Sequence, residues 1–398
     1  SLVGFELNAS SLDLGSPTPG GTSLVAENSI NFGAAGAGDL AFGPDGKLYV
    51  AAIFAGHITV VDAEGNSATL GAEVKDFAPT ALAFGADGHL YAASSVGDAA
   101  FHEFDAEGNH LGAFGPSGIT VTGLALDPGG HLFASSFLTD VVKEYDREGK
   151  LVRNIGAGSI TDPRDLVLGP DGNIWVASQA KDKIFVWATS GAPVDSFDGD
   201  GLLNQPSSLA FGADGTLYVS NLGSSEVTIF KDPFDLDDNG DHGFVGALSS
   251  GELEGALALA LAPQRFDVKV KGTFAAPGEA VQKLKGSGTL SLDLGSRLAS
   301  LRFDDDGNGL IDALGTSTLA MTGFWGAETD AAKTSLLHLT QVTQRASTDG
   351  TASLELELKS KLDKVTQRGV PSKISGALSR GTVDGVIQLS IKGKPVKE

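Results

Sequence analysis

Short apolar runs separated by turns recur along residues 40–221 at a near-constant spacing. Each unit has an apolar triplet, a turn and a second apolar run, as in LAFGADGHLYAAS at residues 82–94. The turn glycines stand 42 or 43 residues apart, at Gly46, Gly88, Gly130, Gly172 and Gly215. Self-similarity at this period indicates one supersecondary unit copied in tandem.

Each unit contains four short extended segments and no segment with helical periodicity. In the second unit these segments are Leu82–Phe84, Leu90–Ala93, Phe101–Asp105 and Leu111–Phe114. Four strands in about 42 residues are typical of one β-propeller blade. The pattern therefore predicts an all-β chain that begins with a β-propeller.

A closed ring needs more than the five clear copies. Residues 30–33 have the character of a fourth strand, and residues 254–262 (EGALALALA) that of an inner strand. Strands from both ends of the repeat would complete one further blade and remove exposed sheet edges. We expect a six-bladed propeller over residues 23–262, with seven blades as the alternative.

The repeat resembles the NHL-repeat blade. The resemblance rests on Leu48–Ala51, on Ile58–Asp62 and on GPDGNIWVAS at residues 169–178. It covers residues 24–262, and the family is akin to the propellers of gluconolactonases and of virginiamycin B lyase. The resemblance implies a propeller fold, and propellers carry many unrelated activities.

Catalysis in such propellers takes place at one end of the central channel. The gluconolactonase resemblance implies a metal held there by Glu, Asn and Asp, and the lyase resemblance implies a catalytic His. The loops that lead into the inner strands here carry Gly38-Asp39, Pro79-Thr80, Thr122-Gly123, Arg164-Asp165 and Ser207-Ser208. Asp39 and Asp165 are their only carboxylates, and we expect Arg164 to form a local ion pair. No catalytic residue is therefore predicted.

The histidines do not form a recognisable site. His89 and His131 occupy equivalent turn positions where other units have Lys, Asn or Thr, which predicts exposed hairpin positions. His110 follows a second turn. His57 lies near the channel face without a partner by spacing. No Ser-His-Asp set, phosphate loop or zinc spacing is visible, so a metal-dependent lactonase or lyase remains an alternative function only.

The charge changes sharply near Pro263. Residues 1–262 carry 10 Lys and Arg against 35 Asp and Glu, a balance of −25. Residues 263–398 carry 18 against 15, a balance of +3. The shift and the loss of the repeat predict a second domain over residues 263–398. An acidic propeller does not favour nucleic acid, whose phosphates need a basic surface.

The second domain shows period-two alternation of apolar and polar residues. Phe266, Val268 and Val270 alternate with charged residues, and the same pattern recurs at residues 290–294 and 354–358. This pattern indicates strands with one buried face. We predict an antiparallel β-sandwich or barrel of about seven to nine strands, of no recognised family.

Residues 1–22 form an N-terminal extension. The segment SLDLGS at residues 11–16 recurs at residues 291–296. The repetition is either a coincidence of composition or the mark of a strand suited to a sheet like that of the second domain. Such a strand would pair within its own chain or add to a neighbouring molecule.

One acidic loop predicts a calcium site. In DDDGNGLID at residues 304–312, oxygen donors occupy positions 1, 3, 5 and 9 of an EF-hand-type loop, and Gly occupies position 6. The expected ligands are Asp304, Asp306, Asn308 and Asp312. The loop departs from the pattern at position 12, where Gly315 replaces Glu, and a solvated acidic turn is the alternative.

A second loop repeats the same frame more weakly. It places Asp235, Asp237, Asn239 and Asp241 as candidate calcium ligands, with Gly246 at position 12. In both loops we expect a structural calcium ion.

The absence of cysteine excludes disulfides and thiol chemistry. No apolar run approaches the length that spans a bilayer, and Ser1 fits a processed chain as well as a trimmed one. We therefore expect a secreted or cell-surface, calcium-stabilised protein that acts in binding or self-assembly, as in a surface layer or filament. A monomeric propeller that binds carbohydrate or protein is a further alternative.

Overall fold

The computed structural model of the protein describes residues 37–62, 66–199, 201–212, 215–231, 233–234, 243–249, 259–260, 264–275, 278, 280–292, 298–303, 320–325, 334–341, 352–362, 369–382 and 385–396. The chain divides into two compact units, and the division falls between residues 262 and 263, residues 294–296 aside. Within the described residues no α-helix occurs, and two three-residue 3-10 helices follow second strands at Ile53–Ala55 and Gln179–Lys181.

The first unit contains five four-stranded antiparallel sheets, each built from strands consecutive in the chain. Sheet 1 contains β1 (Ala37–Phe42), β2 (Leu48–Ala52), β3 (His57–Val61) and β4 (Ser67–Leu70). Sheet 2 contains β5 (Pro79–Phe84), β6 (Leu90–Ser94), β7 (Phe101–Phe104) and β8 (His110–Phe114). Sheet 3 contains β9 (Gly123–Leu126), β10 (Leu132–Ser136), β11 (Val141–Tyr145) and β12 (Leu151–Ile155).

The last two sheets follow the same plan. Sheet 4 contains β13 (Pro163–Leu168), β14 (Asn173–Ser178), β15 (Lys183–Ala188) and β16 (Pro193–Phe197). Sheet 5 contains β17 (Pro206–Phe211), β18 (Leu217–Asn221), β19 (Glu226–Phe230) and β20 (Phe244–Ser249). The first strand of each sheet contacts the first strand of the next, so these five strands line a common axis. This arrangement confirms the predicted propeller.

The hydrophobic core lies between neighbouring sheets. One cluster joins Ala81 and Phe101 of sheet 2 to Leu124 and Tyr145 of sheet 3. Others join sheet 3 to sheet 4 and sheet 4 to sheet 5. Each sheet therefore buries both faces, which explains the continuous apolar runs of the inner strands.

The second unit is a closed barrel of eight antiparallel strands. They are β21 (Gln264–Ala275), β22 (Gln282–Leu292), β23 (Leu298–Phe303), β24 (Ala320–Trp325), β25 (Thr334–Gln341), β26 (Ala352–Leu362), β27 (Gly369–Thr382) and β28 (Gly385–Pro395). Pairing of β28 with β21 closes the barrel. Phe266, Val268 and Val270 of β21 are buried. Lys269 and Lys271, which alternate with them, are exposed, as the sequence pattern predicts.

Among the described residues, no helix has the length and apolar character needed to cross a membrane.

Candidate functional site

A repeated irregularity shapes the inner strands at one end of the channel. The pairing of the first strand with the second shifts register near its start in sheets 1, 2, 4 and 5. A bulge of this kind bends a strand and re-aims a side chain. We call the residue just before the apolar triplet the ring position. It is occupied by Asp39, Ala81, Gly123, Asp165 and Ser208 in sheets 1 to 5.

Side chains at the ring position bind the backbone of the next sheet. The Asp39 carboxylate accepts the Leu82 N–H at 2.8 Å, and the Asp165 carboxylate accepts the Leu209 N–H at 2.9 Å. The Ser208 hydroxyl donates to the same Asp165 oxygen at 2.8 Å. Each contact spans about one repeat, so each acidic side chain ties its own sheet to the following one.

The side chain at the ring position of sheet 5 binds a residue that follows the five sheets in the chain. The Leu259 N–H donates to Ser208 Oγ at 2.9 Å, and Ala260 packs against the Leu40 and Val50 cluster of sheet 1. Residues 259–260 therefore contact both sheet 5 and sheet 1, the place where the sixth inner strand is predicted. The blade count itself stays a prediction, since most of residues 250–263 lie outside the described ranges.

Sheet 3 carries no side chain at the ring position because its neighbour is too close. A Cβ on Gly123 would lie 2.8 Å from both Asp165 Cα and Leu166 N, closer than real Cβ contacts. Glycine is therefore required where sheets 3 and 4 meet, in a strand whose register is regular.

The two channel carboxyls are electrostatically coupled. Burial raises the pKa of Asp39 well above its usual range, and the negative charge of Asp165 raises it further. Burial also raises the pKa of Asp165 to about 6, against the lowering effect of its hydrogen bonds from Leu209, Ser208 and Leu166. Because the charge of Asp165 acts on Asp39, the channel holds two acids that resist simultaneous ionisation.

These carboxyls already have partners on both oxygens. The second oxygen of Asp39 accepts the Leu40 N–H at 2.7 Å, and that of Asp165 accepts the Leu166 N–H at 2.7 Å. Such contacts suit acids that hold sheets together.

Arg164 forms the predicted local ion pair. Its Nε lies 3.0 Å from the Asp162 carboxylate, and Nε also donates to the Gln179 side chain. The guanidinium carbon stands 4.9 Å from the centre of the Phe137 ring. These contacts hold Arg164 beside the loops of sheets 3 and 4 rather than leaving it free for an anion.

The histidines differ from the sequence-based expectation. His89 and His131 were predicted to occupy exposed positions. The His131 side chain is 41% exposed and that of His89 only 22%, and each contacts a glutamate. His89 Nδ1 lies 2.6 Å from Glu103 and His131 Nδ1 lies 2.8 Å from Glu144. The glutamate contacts were not predicted, because the turn pattern alone does not show which third-strand residue stands beside each histidine.

His110 and His57, the other two histidines considered in the sequence analysis, have near neighbours as well. His110 Nε2 lies 3.1 Å from His102 Nδ1. His57 contacts the Ala55 carbonyl at 3.2 Å and no carboxylate partner is recorded for it among the described residues. Burial and the neighbouring His110 lower the pKa of His102 to about 4. The His102 imidazole is therefore neutral at pH 7.

The candidate calcium ligands lie outside the described residues. This applies to Asp304, Asp306, Asn308 and Asp312 of the first loop, and to Asp235, Asp237, Asn239 and Asp241 of the second. Strand β23 ends at Phe303, directly before the first loop. Both calcium sites therefore stay predictions.

No family model matches the chain, and no curated protein matches it. Solved structures that are similar include a streptogramin B lyase, at 11% identity over 91% of this chain and 95% of that one, with a TM-score of 0.46. Virginiamycin B lyase from Staphylococcus aureus is similar at 13% identity, over 90% and 96% of the two chains, with a TM-score of 0.46. A nidogen–laminin complex is similar at 14% identity, over 58% and 87%, with a TM-score of 0.49.

The lyase resemblance noted in the sequence thus recurs among solved structures. At these identities and TM-scores it concerns the fold and supports no conclusion about activity or partners. The propeller assignment rests on the five sheets and their shared axis.

Replacing Asp165 by Asn should change how the stability of the propeller depends on pH. The folded-state pKa of Asp165 is raised from 3.8 to about 6, so its contribution is fully present below pH 3.8 and is lost as pH rises through 6. The free-energy difference between wild type and Asp165→Asn should therefore fall by up to about 3 kcal/mol between pH 4 and pH 7.

Urea unfolding followed by tryptophan fluorescence measures this difference, since Trp175 and Trp187 lie in the same sheet as Asp165. Asp98→Asn, which removes an exposed carboxylate, is the control for net charge. A difference that stays constant across this pH range would contradict the raised pKa of Asp165.

Proposed function

We propose that the protein is a calcium-stabilised, non-catalytic module that assembles head to tail outside the cell. The observation that carries this proposal is a stripe of lysines on the outside of the barrel, in a molecule whose propeller is strongly acidic. The charge split of −25 and +3 supplies two unlike surfaces in one chain.

The lysine stripe crosses three adjacent strands, β28, β21 and β22. Its members are exposed and comprise Lys269, Lys271, Lys283, Lys285, Lys392 and Lys394. Lys269 stands directly opposite Lys392, and Lys271 directly opposite Lys285. Like charges in directly opposed positions destabilise a sheet. An anionic partner would remove this repulsion, which favours a binding role for the stripe.

The propeller offers an acidic partner surface in a second copy of the chain. Exposed acids stand in the loops at the channel mouth, the end of the channel that carries the ring positions: Glu73, Asp76, Asp98, Asp140 and Asp182. Attraction between this surface and the lysine stripe of a neighbour is heterologous, because two different patches meet. Heterologous contacts build rings or open filaments.

The closed barrel restricts how the N-terminal strand can contribute. All eight barrel strands are paired on both sides, so the barrel offers no free edge for strand addition. The outer propeller strands, such as β4, β8 and β12, pair on one side only among the described strands. We therefore place the acceptor edge for residues 3–14 on a propeller sheet rather than on the barrel.

Calcium is the ion we propose for residues 304–312 and 235–241. Its support is the spacing of carboxylate and amide oxygens in both loops, which matches the start of an EF-hand-type loop. Bound ions would neutralise repulsion among neighbouring carboxylates. Calcium is abundant outside cells, so a structural calcium ion fits the secreted or cell-surface location that we propose.

A second candidate is a monomeric propeller that binds a protein partner at the channel mouth. The loop between the second and third strands carries a large exposed apolar residue in three consecutive sheets. These residues are Phe54, Val96 and Leu138, with exposed fractions of 66%, 46% and 65%. Repeated apolar exposure at one structural position is typical of a binding surface.

A channel lactonase or lyase is less well supported. The carboxyls it would use, Asp39 and Asp165, accept hydrogen bonds from the backbone on both oxygens. The Glu and Asn ligands implied by the gluconolactonase resemblance are not matched at the ring positions.

Reversing charges on the lysine stripe should prevent assembly. In 2 mM calcium and low salt, wild type should form particles larger than a monomer, and about 0.5 M salt should dissolve them because exposed charges are then screened. Lys269→Glu, Lys271→Glu and Lys392→Glu combined should remain monomeric. Sedimentation velocity and electron microscopy provide the measurement.

The matched control reverses three exposed charges at the end of the propeller opposite the channel mouth, Lys47→Glu, Arg147→Glu and Lys150→Glu, which changes the net charge equally. It should assemble like wild type. Equal loss of assembly in both triple variants would show a net-charge effect and contradict the stripe. A wild type that stays monomeric at low salt with calcium would overturn the assembly proposal and favour the second candidate.

Removing calcium should lower the melting temperature of the intact protein. Combined Asp304→Ala and Asp306→Ala should lower it only in calcium, because apoprotein has no ion to lose at that loop. Differential scanning calorimetry with calcium and with a chelator measures both. A melting temperature that chelator leaves unchanged would show that neither loop holds a stabilising ion.

A further inference from the structure

Sheet 2 brings together three metal-ligating side chains on the turn side of the propeller, away from the channel mouth. Asp87 lies in the β5–β6 turn, His89 directly precedes β6, and Glu103 lies on β7. One ligand atom from each lies within 4.8 Å of the other two, and all three residues are half-buried. Among the described residues, this is the one His and carboxylate group that meets this distance.

A fourth side chain fixes the two carboxylates. The Tyr91 hydroxyl stands 3.0 Å from Asp87 Oδ2 and 3.3 Å from Glu103 Oε1. A hydroxyl group donates one hydrogen bond at a time. Asp87 and Glu103 therefore share the Tyr91 hydroxyl as a donor, and the His89 imidazole is their other neighbour.

Sheet 3 shows how the same arrangement is completed inside the protein. His131 Nδ1 lies 2.8 Å from Glu144 Oε1, as His89 does from Glu103. Arg153 Nε lies 2.6 Å from the other oxygen of Glu144, whose side chain is only 2% exposed. The guanidinium of Arg153 therefore supplies the positive charge that the buried glutamate of sheet 3 requires.

Sheet 2 lacks this internal cation. Arg153 stands opposite Glu144 in the strand pairing, and the residue opposite Glu103 is Gly112. No atom lies within 4 Å of a Cβ placed on Gly112, so the space beside Glu103 is open. Two carboxylates thus remain at a position where the neighbouring sheet supplies an arginine.

We propose that Asp87, His89 and Glu103 bind a divalent transition metal, with zinc as the ion that fits best. Zinc binds imidazole nitrogen and carboxylate oxygen at about 2.0–2.2 Å in tetrahedral sites. Ligand atoms of such a site lie about 3.3 Å apart. The His89–Glu103 distance of 2.6 Å would open slightly, and Asp87 would move inward within the present 4.8 Å limit.

Three protein ligands leave one tetrahedral position for water or for a group of another molecule. The Tyr91 hydroxyl would hydrogen-bond the bound carboxylates from outside, as partners of metal ligands commonly do. The site is distinct from the proposed calcium loops in position and in chemistry, because an imidazole nitrogen favours zinc over calcium.

The test is zinc titration of the full chain, freed of metal by chelator and kept in 2 mM calcium to fill oxygen-only sites. Isothermal titration calorimetry against a competing chromophoric chelator gives the number of tight sites. We expect His89→Gln to lose one equivalent, with at least a 10-fold weaker affinity. His131→Gln, its counterpart in sheet 3, should keep that equivalent.

Gly112→Arg provides an independent variant that leaves all ligands in place. The added guanidinium should reach Glu103 as Arg153 reaches Glu144, and should lower zinc affinity at least 10-fold. Circular dichroism and the melting temperature establish that each variant is folded; if His89→Gln does not fold, Gly112→Arg decides alone. Cobalt substitution adds a visible absorption spectrum typical of four-coordinate nitrogen and oxygen ligands.

The proposal is overturned if wild type binds no tight zinc above the level of His89→Gln. It is also overturned if His89→Gln and His131→Gln lose the same equivalent, since the ion would then not belong to sheet 2. Loss of zinc in both His89→Gln and Gly112→Arg, with retention in His131→Gln, supports the site.

Discussion

The propeller depends on one kind of hydrogen bond, in which a side chain at the ring position of one sheet accepts a backbone N–H from the next. Asp39 reaches Leu82, Asp165 reaches Leu209, and Ser208 reaches Leu259. Inner strands pair on one side within their own sheet, so their other edge needs partners. In sheets 1, 4 and 5 the ring position supplies those partners and links neighbouring sheets at the axis, whereas Ala81 and Gly123 of sheets 2 and 3 carry no hydrogen-bonding side chain.

The need for these hydrogen bonds also determines the environment of the two carboxyls in the channel. A buried carboxylate is costly unless its oxygens are hydrogen-bonded, and the backbone of the next sheet meets that need for both Asp39 and Asp165. Backbone hydrogen bonds therefore occupy both oxygens of each of these carboxyls. The interactions that we propose use surfaces instead: the acidic loops, the exposed apolar residues of sheets 1 to 3, and the lysine stripe of the barrel.

The five propeller sheets could be predicted from the sequence, because each is built from local hairpins with a turn glycine at a fixed position. It also located Asp39 and Asp165 at the channel mouth, but it did not show their partners, which lie one repeat away and become neighbours only when sheets stack. The pairs His89–Glu103 and His131–Glu144 were missed because they depend on cross-strand register. Closure of the barrel was not predictable either, since β21 and β28 meet across more than 100 residues of chain.

Native-state hydrogen exchange of the Leu82 and Leu209 amides tests the central claim most directly. If side chains at the ring position hold the sheets together, both amides should exchange only through global unfolding of the propeller. Asp165→Asn should then speed exchange at Leu209 by at least 10-fold more than at Leu82, because the lost link opens sheets 4 and 5 locally as well as lowering the global stability. Loop-like exchange at both amides in the wild type, or a Leu209 rate that Asp165→Asn leaves unchanged, would contradict the account.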